Sequence, residues 1–136
     1  MKPIEIPLSP VTKPRMTQRD RWYHDPDHID PKKRQRPAVT RYNQFKKDLK
    51  ELVRGELDPT FDIDFFVPMP KSWSEKKKRE HVGKPHQDKP DIDNFLKSFM
   101  DAMASDDSYI WDAHPRKFWA YEGKIILTER GQDGQQ

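Results

Sequence analysis

Cysteine is absent from the sequence, which excludes a disulfide framework, thiolate catalysis and thiolate metal sites together. Apolar residues are scarce as well: hydrophobic types make up 32%, where globular domains average roughly 45–50%, so any core is small. No run approaches the roughly 18 apolar residues of a membrane span, and the opening Met1-Lys2-Pro3-Ile4 lacks the apolar stretch of a signal peptide. The expectation is a cytoplasmic protein with no membrane partner, folded as one domain over residues 1–130 and ending in a polar tail, 131–136. The five histidines, His24, His28, His81, His86 and His114, include no H-E-x-x-H pattern of a zinc enzyme.

Proline and charge are in excess. Thirteen prolines cluster at positions 3–37 and 68–90, which predicts two long loops, 13–37 and 71–90. Both are cationic. Residues 11–41 carry nine basic side chains against four acidic, and residues 71–90 carry seven against three. Residues 91–112 reverse the sign, with six aspartates against Lys97 alone. An acidic island between basic loops is what an enzyme acting on nucleic acid through a cation requires: the loops attract phosphate, and the island repels it unless a metal neutralises the charge. Each charge run taken singly also reads as an ordinary solvated surface.

The apolar pattern gives a coarse fold. Ile4, Ile6 and Leu8 alternate with polar or proline residues, a short edge strand over 3–8. Tyr42, Phe45, Leu49, Leu52 and Val53 recur at helical spacing and Gly55 follows as a stop, so a helix is expected over 40–54. Phe61, Ile63, Phe65 and Val67 alternate with aspartates, a strand with one buried face. Serines at 72 and 74 suit helix caps ahead of one or two helical turns within 71–80. Ile92, Phe95, Leu96, Phe99, Met100 and Met103 form a single stripe at i, i+3, i+4, i+7, i+8 and i+11, which predicts a second long helix. Residues 116–121 and 124–128 read as strands joined at Glu122-Gly123 in a hairpin. The sum is an α+β domain, a small mixed or antiparallel sheet covered by two helices.

The chemistry gathers at the start of the second helix. Asp91 and Asp93 straddle its entry, and either can serve as a cap or complement the helix dipole. Alternatively, both converge with one of Asp106 and Asp107 on a hard cation, which prefers oxygen ligands. Lys97 follows Asp93 by four residues. It forms either an i, i+4 ion pair, worth roughly 0.2–0.5 kcal/mol, or an ammonium placed to stabilise charge on a phosphate. For backbone contacts to DNA the candidates are Lys76, Lys77, Lys78, Arg79, Lys84 and Lys89, with Lys13 and Arg15 after them. Trp73, Trp22 and Tyr23 are candidates for stacking on bases, and His86 for an approach to phosphate.

The stretch Lys89-Pro90-Asp91-Ile92-Asp93-Asn94-Phe95-Leu96-Lys97, then Phe99-Met100-Asp101-Ala102-Met103 and Asp106-Asp107, resembles the RusA family of Holliday junction resolvases. The signature of that family is D-x-D-N with lysine three residues on, a helix, and an acidic pair before a strand. The likeness is strong over 68–129 and looser upstream, where Lys13-Pro14-Arg15 is similar to phage-type members. It implies a RusA-like α+β fold, with Asp91, Asp93 and Asp107 as catalytic metal-binding carboxylates and Lys97 as the essential lysine. It also implies Mg²⁺ as cofactor, with Mn²⁺ as a substitute, and a homodimer that nicks opposed strands of branched DNA, the four-way junction. Residues 71–89 form a basic insertion relative to shorter members. Two rivals stay open: a non-catalytic DNA-binding accessory protein, and a Mg²⁺-dependent nuclease for flaps or forks.

Overall fold

A computed structural model describes residues 2–131; the tail expected at 131–136 lies, apart from Gly131, outside the described residues. The elements run β1 (Ile4–Ile6), α1 (Arg19–Trp22), α2 (Pro37–Leu52), β2 (Thr60–Pro68), α3 (Glu75–His81), α4 (Ile92–Met103), β3 (Asp112–Ala120) and β4 (Lys124–Glu129), with 3-10 turns at Pro31–Lys33 and Asp107–Tyr109. Four strands form one sheet in the order β1-β4-β2-β3. β2 pairs parallel with β3, while β4 pairs antiparallel with both β2 and β1. The sheet is therefore mixed, and β1 sits at an edge, where its flanking prolines cost no ladder bonds.

The expected hairpin at Glu122-Gly123 does not form. β3 and β4 lie on opposite sides of β2, so the short connection passes over the end of β2 instead of pairing its flanking strands. Pro68 and Pro70 end β2 there and leave room for the crossing. Gly123 is required by close approach: an added Cβ would stand 2.6 Å from Ser9 Cα.

Alternation along β2 divides the sheet into two faces. Phe61, Ile63 and Phe65 are buried, together with Ile125 and Leu127 of β4 and Ile6 of β1. This face carries α2, through Phe45 and Leu49, and α4, through Phe95, Phe99 and Ala102. Aromatic pairs knit the layers: Phe61 lies 6.1 Å from Phe99 and Phe65 lies 5.4 Å from Phe95. With so few apolar residues the core is one layer deep, and truncating a buried phenylalanine such as Phe99 would cost about 3–5 kcal/mol. Asp62, Asp64 and Phe66 look outward, where Arg116 forks onto Asp64 at 2.8 and 2.9 Å.

The long segment 13–37 is ordered by polar contacts, not by a core. No residue of α1 is buried. Arg36 forks onto Asp20 through Nε and Nη2, at 3.0 and 2.7 Å, and its Nη2 also donates to the Arg15 carbonyl at 2.8 Å. α2 begins at Pro37, earlier than the apolar spacing indicates, because proline at the first helical position has no N–H to satisfy.

Candidate functional site

α4 positions the acidic motif. Its stripe packs on the sheet, which turns Asp93, Lys97 and Asp101 outward along one line of the helix. Asp91 is the N-cap residue, yet its side chain makes no capping bond; only its backbone carbonyl is engaged, by Asn94 N at 3.1 Å. Asp91 and Asp93 therefore both present exposed carboxylates with no hydrogen-bond or ion-pair partner among the described residues. Capping, the structural reading of this pair, is not realised by their side chains.

Lys97 does not pair with Asp93. Its ammonium lies 3.4 Å from Asp101, which also takes Lys13 at 3.0 Å. Burial works to raise the Asp101 carboxyl, but Lys13 and then Lys97 outweigh it, and the group sits below the ordinary carboxylate value. Lysine ahead of aspartate is the weaker order for a helical pair, so Lys97, 59% exposed at its side chain, is held lightly and stays available to an anion.

The second acidic pair divides cleanly. Asp106 accepts the Ser108 N–H at 3.1 Å and so caps the 3-10 turn; that backbone bond holds its carboxyl below the usual range. Asp107 has no such bond, so of the two it is the one free to act.

Its place, however, is far from Asp91 and Asp93. α4 has 12 residues, about 18 Å at 1.5 Å per residue, and Asp107 follows its far end. The surrounding contacts agree. Beyond Asp107, Tyr109 OH bonds Leu57 O at 2.7 Å and Trp111 N bonds Pro59 O at 3.2 Å, just ahead of β2. At the other end, Lys117, whose partner in β2 is Phe65, donates to the carbonyls of Asp88 and Pro90 at 2.5 and 2.7 Å. Among the described residues no group of three His, Asp or Glu side chains is disposed to hold a metal ion. A single chain thus does not fit the three-carboxylate site that the resemblance implies.

The basic residues lie on the approach to Asp91. Ser74 caps α3 by accepting Lys77 N at 3.2 Å, and the helix exposes Lys76, Lys77 and Arg79, whereas Lys78 is half-buried and 3.8 Å from Glu75. Gly83, at a φ of 80°, lets the chain leave α3 and run back along β3. There Gly83 N bonds Trp119 O, Trp119 N bonds Lys84 O, and His86 N bonds Lys117 O. Exposed Lys84 and Lys89 flank this path. Arg15 is exposed, and Lys13 is engaged with Asp101.

Two aromatic candidates are placed differently from expectation. Trp73 packs 4.8 Å from Trp119 and 4.9 Å from His81, under Lys77 at 4.2 Å, so it anchors α3 on β3. His86 is 3% exposed, its ring 4.0 Å from Trp119. Burial first, then Lys117, depress its pKa, which favours a neutral ring. Trp22, by contrast, is 72% exposed. Lys117 is the residue the sequence reading missed. Its signal was available: it shares strand parity with buried Trp119, a position where lysine has no reason to be unless its ammonium finds acceptors.

No helix among the described residues is long and apolar enough to cross a membrane. No solved structure matches the chain. An uncharacterized protein, YqaN of Bacillus subtilis (strain 168), is 32% identical over 79 residues, which cover 52% of this chain and 56% of that protein; the chain thus spans about half the length of this curated relative. The family model of endodeoxyribonuclease RusA matches residues 7–128, which take in β2, β3, all but the last residue of β4 and all four helices, and the chain belongs to the RusA endodeoxyribonuclease family.

Proposed function

We propose that the chain is a cytoplasmic, Mg²⁺-dependent endodeoxyribonuclease that resolves four-way DNA junctions as a homodimer. Each active site would comprise Asp91, Asp93 and Lys97 of one copy and the partner subunit's Asp107. The observation that carries this reading is the placement of free carboxylates at both ends of α4: Asp91 and Asp93 at the start, Asp107 past the finish. Two copies related by a two-fold axis with their α4 helices antiparallel would bring each start against the other's finish, and would do so twice, as any isologous contact must. Two sites facing opposed strands is also the arrangement that paired nicking of a junction demands.

The chain's own residues then have separable roles. Asp91, Asp93 and the partner subunit's Asp107 would hold the cofactor, whose bound form supplies charge neutralisation at the phosphate. Lys97 stabilises negative charge on the scissile phosphate. Lys76, Lys77, Arg79, Lys84 and Lys89 hold the strand by its phosphates, which positions the backbone without reading sequence. Lys117 keeps the carbonyls ahead of Asp91 in place and is a positioning residue.

Mixing two inactive variants tests the shared site. Asp91→Asn and Asp107→Asn each break both sites of their own homodimer. After subunit exchange in an equal mixture, half the dimers are mixed and each mixed dimer keeps one intact site, so nicking of a four-way junction in Mg²⁺ should return to about a quarter of the wild-type level. A mixture as inert as its components would place all three carboxylates of a working site in one chain and overturn the reading.

A further inference from the structure

Segment 13–37 carries more order than its composition accounts for. A four-residue helix with nothing buried does not persist alone, yet α1 is fixed on both sides by the fork between Arg36 and Asp20 and by Thr17, whose N–H and hydroxyl also reach Asp20, at 2.7 and 3.1 Å. What this clasp presents to solvent is the Trp22 indole, 72% exposed. That leaves a large aromatic face open to a ligand, on a backbone the clasp has already ordered.

The charges around it indicate what. Three of the four acids of the segment are used internally: Asp20 on Arg36, Asp25 on the N–H of Asp27 at 2.8 Å, and Asp30 on the N–H of Lys32 at 3.0 Å; the Asp27 side chain is exposed and takes no partner among the described residues. The side chains of Arg15, Arg21, Lys32 and Lys33 have no protein acceptor among the described residues. With these four cations set against Asp27 alone, the segment is net cationic and carries an exposed indole, which suits a polyanion with aromatic groups: phosphates for the cations, a base for the indole. The segment also starts in the right place, since Lys13 ties it to Asp101 on the same outer line of α4 that bears Asp93 and Lys97.

We propose that Trp22 is a stacking platform for an unpaired nucleobase at the branch point, and that this contact supplies preference for branched over linear DNA. The inference rests on the endonuclease reading above. In linear duplex every base already lies within a stack and offers no free face, and extracting one is costly; at a branch point bases are open to an indole at no such cost. Because the clasp fixes the backbone that carries the ring, only the side-chain torsions of Trp22 remain to be ordered by the contact.

The test is binding in EDTA, where nothing is cut, to a four-way junction with 2-aminopurine at its centre and to linear duplex of equal length. The wild-type protein should quench the 2-aminopurine. Trp22→Ala should weaken junction binding about tenfold and abolish the quench while leaving duplex affinity within about twofold; Trp22→Phe should keep most of both. The far-UV spectrum should not change, because the indole touches no core. Junction preference that survives Trp22→Ala, or equal loss on both substrates, overturns the platform alone and assigns the indole to a protein contact or to general affinity. Wild-type protein that binds the two DNAs alike overturns the junction reading, and the platform with it.

Discussion

Lys13 and Asp101, 88 positions apart in the chain, are joined by a 3.0 Å ion pair, and the same carboxylate holds Lys97 at 3.4 Å. One acidic group on α4 therefore fastens the N-terminal basic segment to the helix that carries the acidic motif, and it competes for the lysine that the proposed chemistry uses. Lys13 and Lys97 are both substantially exposed, so the pairs are screened and individually weak.

A double-mutant cycle between Lys13→Ala and Asp101→Asn in urea should give a coupling of roughly 0.2–1 kcal/mol at low salt, shrinking in 1 M NaCl as screening shortens the range of the charges. Asp101→Asn should cost more than Lys13→Ala, since it strips two ammonium groups of their partner. A coupling of zero at low salt would show that the segment is held by something other than this pair.

The clasp between Asp20 and Arg36 sets an acid limit on the N-terminal segment. The hydrogen bond from Arg36, followed by that from the Thr17 backbone, holds the Asp20 carboxyl well below its ordinary value. A carboxyl depressed on folding contributes stability that is complete above its unfolded pKa, about 3.9, and that is lost as pH falls toward the folded value. Protection of amides 17–36 from hydrogen exchange should hold from pH 7 to about 4 and decline only below. In Asp20→Asn the protection should be lower throughout and flat with pH. A decline already complete well above pH 4 would show that a group other than this carboxylate sets the limit.

The outline of the fold was legible, and the parts that were not have a common cause. α4 spans Ile92–Met103, the very limits of the apolar stripe, because a helix packed on one face must repeat its contacts every three or four residues. β2 was legible for the same reason at period two. Which strand lies beside which is not written in periodicity: β3 and β4 each carry an alternating pattern that fits a hairpin, and only the three-dimensional fit of β2 between them sets the order. β3 begins at Asp112, not 116, since Pro115 is tolerated on an edge strand. For the site, D-x-D-N and Lys97 mark the end of α4 that matters, but spacing along a chain says nothing of which end of a helix faces which. That is why Asp107 looked adjacent to Asp91 and stands a helix length away.

Asp106 and Asp107 test whether the division of labour between them is real. Asp106 caps the 3-10 turn, a role that asparagine fills as well as aspartate and alanine does not. Asp106→Asn should therefore leave both melting temperature and nicking close to wild type, while Asp106→Ala, which removes the acceptor, should lower the melting temperature. Asp107→Asn should do the reverse: no change in melting, because the carboxylate has no hydrogen-bond or ion-pair partner among the described residues, and a loss of nicking exceeding about 100-fold, the scale on which removal of a charged group at a reacting phosphate is felt. If Asp106→Asn abolished nicking and Asp107→Asn left it intact, the capping aspartate would be the functional one, and the hydrogen bond to Ser108 would have to break before the DNA is cut.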